Sequence, residues 1–279
     1  MNKRAFESSK KYGWLFYIKY DGKNFHSFDE NSGKVSVKSE FIRVMGEIGI
    51  SWAKGVQQAS RTDAGVSADE NILYISTLFN GDRECVIDEF NKRSAFLKIV
   101  RAEKTFPDLV IPDYVEKRVY HYSYPKNKIN RSIEEIEKKS AELSGTYDVS
   151  EFTDAKGALL KEKVRSVSIS YDGEKLIFEG SSFMPKQVRI MSGVVLEGEK
   201  KIMAAKYLTL HKNIMKPEFE LMIFKKSDLK VEGVEYIEKA GDMYIFYVKP
   251  ENRGEIIGTN GKNIKKLRKE YKELIIRDA

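Results

Sequence analysis

The chain has 279 residues, 41% hydrophobic and 33% charged, with a net charge of +7, which fits a soluble protein of about two domains. No apolar run approaches the ~18 residues a membrane span requires, no secretory h-region follows the basic N-terminus, and one cysteine, Cys85, excludes an internal disulfide and a Cys-based zinc site. A reducing cytoplasm is the expected setting, and the positive balance is compatible with a nucleic-acid partner without being diagnostic of one.

Residues 14–20 (WLFYIKY) are rich in aromatic and β-branched side chains and predict a strand that stops at the turn pair Asp21-Gly22. In Phe25-His26-Ser27-Phe28, a histidine among aromatics reads first as a packing residue and second as a functional one. Val37, Phe41, Val44, Met45 and Ile48 recur at helical spacing, with Ser36 as N-cap and Gly49 as stop. The polar run Gln57-Gln58-Ala59-Ser60 leads into Arg61-Thr62-Asp63-Ala64-Gly65-Val66, and a strand follows over 71–77. An aspartate in such a loop commonly serves the turn itself, because its carboxylate accepts nearby backbone N–H groups while the following glycine supplies positive φ. A short helix over 86–93 and a strand over 95–106 complete a first α+β unit.

A second unit begins after Pro112. Residues 118–124 (RVYHYSY) alternate as a strand, with Tyr120 and Tyr122 on one side. A helix over 132–143 opens with a Ser132/Glu135 capping box, carries Ile133, Ile136, Ser140 and Leu143 on one face and ends at Gly145. Strands over 164–171 and 175–183 flank Asp172-Gly173, a hairpin signal, and a helix is predicted from about 185 to 208 with Pro185 in its first turn. From about 217 the pattern changes to two strands (234–239 and 243–249), a short helix (251–257), the loop Gly258-Thr259-Asn260-Gly261, a helix (262–271) and a last strand (273–277). Boundaries near 112 and 216 divide the chain into 1–112, 113–216 and 217–279.

Several segments, in order, resemble the TruA family of tRNA pseudouridine synthases. Arg61-Thr62-Asp63-Ala64-Gly65-Val66 is similar to that family's active-site signature, although Ser67 stands where the family usually has histidine. Tyr20-Asp21-Gly22 with His26 is similar to its opening motif. Arg118-Val119-Tyr120-His121-Tyr122 is similar to its Arg-x-Tyr-x-Tyr strand. In Phe183-Met184-Pro185-Lys186-Gln187-Val188-Arg189-Ile190-Met191-Ser192-Gly193, the residues Phe183, Val188, Arg189 and Gly193 match, whereas Lys186 replaces histidine and Ile190 replaces asparagine. Tyr147 to Phe152 matches a further motif only at Asp148 and Phe152 and is read as structural.

The resemblance implies two similar α+β halves forming one extended, mainly antiparallel sheet with a central cleft, and a homodimer. It implies a catalytic set of Asp63, Arg189 and Tyr120: Asp63 acts on the nucleotide by attack at C1′, attack at C6 or removal of the C2′ proton, Arg189 pairs with it and Tyr120 stacks on a flipped base. Arg61, Thr62 and Val188 are the implied substrate-binding neighbours, Arg61 holding the strand. The implied reaction converts uridine in RNA, above all tRNA, to pseudouridine without cofactor or metal.

Toward the C-terminus, Ile256-Ile257-Gly258-Thr259-Asn260-Gly261-Lys262-Asn263-Ile264 resembles the Gly-x-x-Gly loop of a type II KH domain, a small α/β RNA-binding module. Two glycines permit close backbone approach, and the N-terminus of the next helix offers N–H donors to phosphate, with Lys262, Lys265, Lys266, Arg268 and Lys269 adding charge. A basic helical hairpin with a glycine turn is the plainer reading. Three histidines, His26, His121 and His211, widely separated along the chain, suggest no metal site, and no P-loop or dinucleotide fingerprint occurs. The departures at Ser67, Lys186 and Ile190 leave a rival open: a non-catalytic RNA-binding protein on a degenerate synthase scaffold.

Overall fold

A computed structural model describes residues 3–279. After helix α1 (Lys3–Ser9), strand β1 (Tyr12–Tyr20) is buried on both faces along nearly its whole length, as its unbroken aromatic and aliphatic run requires. Helix α2 (Val37–Glu47) turns Val37, Phe41, Val44 and Met45 to the core. The Ser36 side chain accepts the Ser39 N–H while the Ser39 hydroxyl accepts the Ser36 N–H, satisfying two N-terminal donors that the helix cannot satisfy itself. Strands β2 (Gln57–Gln58), β3 (Ser67–Thr77) and β4 (Leu97–Thr105) follow, with helix α3 (Arg83–Arg93) before the last of them.

Strand β5 (Val115–Tyr122), helix α4 (Ile133–Leu143), strand β6 (Gly145–Asp148), helix α5 (Ala155–Ala158), strands β7 (Val164–Tyr171) and β8 (Leu176–Gly180), helix α6 (Gln187–Leu196) and strand β9 (Leu208–Met215) complete the larger body. The Ser132/Glu135 capping box forms as the spacing predicts. Ile136 and Ser140 of α4 are buried, but Ile133, at the start of its first turn, is exposed. The Asp172 carboxylate accepts the Glu174 and Lys175 N–H groups and Gly173 takes a φ of +89°, making the β7–β8 turn.

One large sheet runs β4-β1-β3-β9-β5-β8-β7-β6, with β2 against β3. Every pairing in it is antiparallel except β3 with β9, which run parallel through only two residue pairs, Ser67 with Thr209 and Ala68 with Leu210. The fold is α+β around this sheet.

Of the helix expected over 185–208, only Gln187–Leu196 forms as α6, and a short 3-10 turn over Ala205–Tyr207 precedes β9. The start of the helix is delayed because Lys186 adopts a left-handed φ of +64°, so α6 opens at Gln187. Its end comes early: the Glu197 N–H closes back on Gly193 and Gly198 takes a φ of +78°, which leaves the chain free to return as β9. Leu208 and Leu210 of β9 are buried on alternating positions. Strand β8 likewise ends at Gly180 rather than near 183, and β3 begins four residues before the predicted 71.

Helix α7 (Pro217–Glu220) leads to a second sheet, β10-β11-β12-β13, formed by Lys225–Ser227, Tyr236–Ala240, Met243–Val248 and Glu273–Asp278. Strand β13 lies parallel to β12 after a crossover through α8 (Arg253–Ile257) and α9 (Lys262–Glu270). Ile237, Phe246, Val248, Ile256, Ile264 and Leu274 form a small core between this sheet and its helices. Its other face packs on the main body: Phe224 meets Phe6 and Phe106 at ring centroid distances of 5.9 and 4.8 Å. Buried Lys104 of β4 donates to both Glu238 oxygens of β11 at 3.0 and 2.9 Å and to Asn80 Oδ1 at 2.7 Å. An apolar cluster shared by both sheets, with each buried aromatic or aliphatic side chain contributing roughly 1.5–3 kcal/mol, makes this a docked rather than a tethered module. Among the described residues, no helix is long and apolar enough to cross a membrane.

Candidate active site

The loop from Ala59 to Val66 joins β2 to β3 and is held from behind by buried hydrogen bonds. The Ser60 hydroxyl donates to Asn213 Oδ1 at 2.5 Å, Asn213 Nδ2 donates to Asn71 Oδ1 at 3.2 Å, and Asn71 Nδ2 returns to the Ser60 carbonyl at 2.8 Å. Arg118 of β5 donates through Nε to the Ser60 hydroxyl and through Nη2 to the Ala59 carbonyl, both at 2.9 Å. All three side chains of the first group are buried, so removing one would strand the others in a low-dielectric setting.

The turn itself is set by Gly65, with a φ of +79°, and by the Val66 N–H donating to the Asp63 carbonyl at 3.1 Å. Gly22 packs so closely on it that a Cβ there would lie 2.2 Å from the Val66 carbonyl oxygen. Ser67, the departure from the family pattern, is employed here: its hydroxyl accepts the Gly22 N–H at 3.0 Å. Thr62 shares a 2.8 Å hydrogen bond with the phenol of Tyr20. The result is an Asp63 carboxylate presented at a fixed place, with a quarter of its side chain exposed.

Two cations converge on that carboxylate. Lys186 Nζ lies 2.9 Å from Oδ1 and Arg189 Nη1 lies 3.5 Å from Oδ2. Both come from α6 or its cap, three residues apart, which puts them on one helical face. Arg189 is also fixed by Nε donating to the Met203 carbonyl at 2.6 Å. Lys186 therefore makes the closer ion-pair contact, while Arg189 acts through charge at longer range. Matching to the family pattern passed over Lys186. Its signal was its place three residues before Arg189, after Pro185.

Asp63 opens on a cavity of about 340 Å³ whose walls include Tyr120, Phe183, Met184, Val188 and Leu208, with Arg61 and Thr62 at its edge. That volume is in the range of small-molecule and base-sized sites. Tyr120 is buried and stands edge-on to Phe183, centroids 5.4 Å apart at 89°. Burial pushes its phenol up to about 12, aided by the Asp63 charge and opposed by Arg118, so it is neutral at physiological pH. Tyr122 belongs to the core, fully buried, its hydroxyl donating to the Ala204 carbonyl at 3.1 Å. Arg61 is exposed, its Nε 3.0 Å from Asp29.

Other sequence candidates lie elsewhere. His26 is exposed beside Lys34, with 2.9 Å between Nε2 and Nζ, and packs into no aromatic core. Asp148 accepts the Ser150 N–H at 2.8 Å and Phe152 is buried, a local structural pair. Gly258, Thr259, Asn260, Gly261 and Lys262 form the α8–α9 turn of the small module. Gly258, Asn260 and Gly261 take φ values of +71°, +54° and +70°, and Thr259, Asn260 and Lys262 are exposed. No side chain caps the N-terminus of α9.

An α+β body with a carboxylate and two cations beside a largely apolar cavity is the class of protein these features define. No family model matches the chain. Curated relatives do, and they carry one name. A protein from Picrophilus torridus named tRNA pseudouridine synthase A is 27% identical over 205 residues, 72% of this chain and 77% of its own length. Proteins of the same name from Streptococcus uberis and Pyrococcus abyssi are 28% and 27% identical, covering 64% and 79% of this chain and 80% and 85% of their own.

Proposed function

We propose that this protein is a pseudouridine synthase that isomerises uridine in RNA, with tRNA as its substrate class. The observation that carries the reading is the Asp63 carboxylate, steadied by Lys186 and Arg189 at the rim of a cavity of about 340 Å³. The similarity to proteins named tRNA pseudouridine synthase A supports the same conclusion.

Uridine is flipped from its strand into the cavity, where Tyr120 and Phe183 offer aromatic surface to the ring. The N1–C1′ bond breaks, the base turns, a C5–C1′ bond forms, and the hydrogen on C5 leaves as a proton to be replaced at N1. Nothing is gained or lost overall, so the reaction requires no redox partner. Asp63 starts glycosidic cleavage, and the two cations hold its charge and direction. Thr62 and Val188 frame the base, and Arg61 on the rim holds the displaced strand through its phosphate. The turn over 258–261 at the start of α9 takes a further stretch of RNA backbone, as a KH-like loop does. A homodimer in the cytoplasm is part of the same reading.

The decisive experiment follows release of the C5 hydrogen from uridine-labelled tRNA. Asp63→Ala is expected to lower release by roughly 1,000-fold or more while RNA affinity stays within a few fold. A variant that turns over at the wild-type rate overturns the assignment.

A further inference from the structure

Two of the chain's three histidines, ninety residues apart, meet on the sheet. The rings of His121 on β5 and His211 on β9 stack with centroids 4.1 Å apart and planes within 21°. Asp69 of β3 joins them, its Oδ2 3.1 Å from His211 Nδ1. One ligand atom from each of the three lies within 4.8 Å of the others. From these placements we infer that Asp69, His121 and His211 form a binding site for a divalent transition metal, with zinc the best fit, that clips together the two sets of strands flanking the β3–β9 seam.

The donor set suits such an ion. Two imidazole nitrogens and a carboxylate oxygen with an open fourth position are a recognised zinc arrangement. Ligands ~2.0–2.2 Å from a tetrahedral centre sit roughly 3.3 Å apart, so side-chain rotations that tilt the stacked rings toward one point and draw the donors in by up to about 1.5 Å complete the shell. The side chains of His211 and Asp69 are 40% and 50% exposed, enough freedom for that adjustment and for water as fourth ligand. Without an ion the His211 ring nitrogen Nδ1 and the Asp69 carboxylate are hydrogen-bonded to each other, and binding replaces that bond by one from each side chain to the ion.

The placement gives the ion a purpose. Strands β4, β1 and β3 come from residues 12–105, and β9, β5, β8, β7 and β6 from residues 115–215; only the two pairs between β3 and β9 join the groups within the sheet. Asp69 and His211 stand one residue past the last of those pairs. The register of β9 against β5 slips between Leu210 and Lys212, leaving His211 as the extra residue of a bulge, a device that re-aims a side chain. Adjacent strand residues face opposite sides, so His121 lies on the face away from the cavity lined by Tyr120. A metal there would tie the strand that leaves the Asp63 loop to the strands carrying Tyr120 and Leu208, without entering the cavity.

The test uses the full-length chain stripped with chelator and titrated with Zn²⁺ or Co²⁺, with no RNA present. The expected results are one equivalent bound, the intense visible absorption of low-symmetry Co²⁺, and a rise in Tm of about 5 °C at a hundredfold excess of Zn²⁺ over its Kd. His121→Asn and His211→Asn should each abolish the spectrum and the Tm shift while leaving the metal-free Tm within a few degrees. Asp69→Asn should weaken binding 10–100-fold, and Cys85→Ser should change nothing. Absence of binding to the parent, retention of the spectrum in both histidine variants, or its loss in Cys85→Ser overturns the site. A histidine variant with a collapsed metal-free Tm is set aside for Asp69→Asn, whose unchanged affinity would equally overturn it.

Discussion

The Asp63 loop and the turn over 258–261 both rely on glycines, yet one presents a side chain and the other presents main chain. Around Asp63 side chains supply much of the support: Ser60, Asn71, Asn213 and Arg118 fix the loop from behind, and Lys186 and Arg189 meet the carboxylate from the front. At the second turn the side chains point to solvent and three backbone positions take left-handed φ, so what it presents is main chain. The first arrangement fixes one atom's position. The second exposes main chain, with the Gly258, Gly261 and Lys262 N–H groups bonded inside the turn.

The sharpest way to break the contrast is Asp63→Ala, because it deletes the one atom group the first site exists to place. Turnover should fall by about 1,000-fold or more with RNA affinity nearly unchanged. A comparable loss of affinity would mean that Asp63 holds RNA as the second turn does, and the distinction would fail.

The next effect is on stability and bears on whether the regions move independently. Glu238→Ala strands buried Lys104, whose ammonium burial already pulls below its ordinary pKa, and breaking such a pair by removing one partner costs about 3–5 kcal/mol. A single cooperative unfolding transition at lower Tm, followed by calorimetry, is the expected outcome. Two separated transitions would show that the small module folds apart from the main body. For the same reason, deleting residues 217–279 is a poor test of RNA binding: it would bare Phe6, Phe106 and the rest of the shared cluster.

Within the first site, Lys186 and Arg189 should differ. Arg189 is locked by the Met203 carbonyl, and Arg189→Ala should lower kcat by about 100-fold, near the 2.7 kcal/mol that a fixed charged contact commands. Lys186 makes the shorter contact, yet its flexible stem must yield Oδ1 to the substrate, so Lys186→Ala should cost about tenfold. The reverse order, measured by single-turnover C5 hydrogen release, would make Lys186 the principal partner. Two of the three departures, Lys186 and Ser67, make contacts at the Asp63 loop, while Ile190 is buried in α6.

Much of this was legible in the sequence, and what was not has identifiable causes. Caps at Ser36 and Ser132, the Asp172-Gly173 turn and the doubly buried β1 announce themselves because each depends on residues close in sequence. Strand β9 was hidden because the helical pattern of α6 reads on toward it, although the left-handed Gly198 ends the helix and a short turn over Ala205–Tyr207 precedes the strand. The first residues of β3, Ser67-Ala68-Asp69-Glu70, are poor strand formers by composition; they are extended because β1 and β9 pair with them. Lys186 was missed because attention stayed on the matched Arg189, and the His121–His211 stack was invisible because it depends on which strands the fold sets side by side.

The smallest effect sharpens the contrast from the other side. Asn260→Asp puts a carboxylate into the second turn while an asparagine-like side chain keeps the left-handed backbone available, since both residues tolerate that region. The added charge should repel a phosphate there without reaching the Asp63 cavity. RNA affinity should fall a few fold, and the slope of log K against log salt should become shallower by up to about one unit, the contribution of one lost phosphate contact. The rate of C5 hydrogen release at saturating RNA should not change. An unaltered salt slope with unaltered affinity would remove RNA from this turn and leave it a basic helical hairpin, with the Asp63 cavity then the sole nucleotide-contacting region of those two.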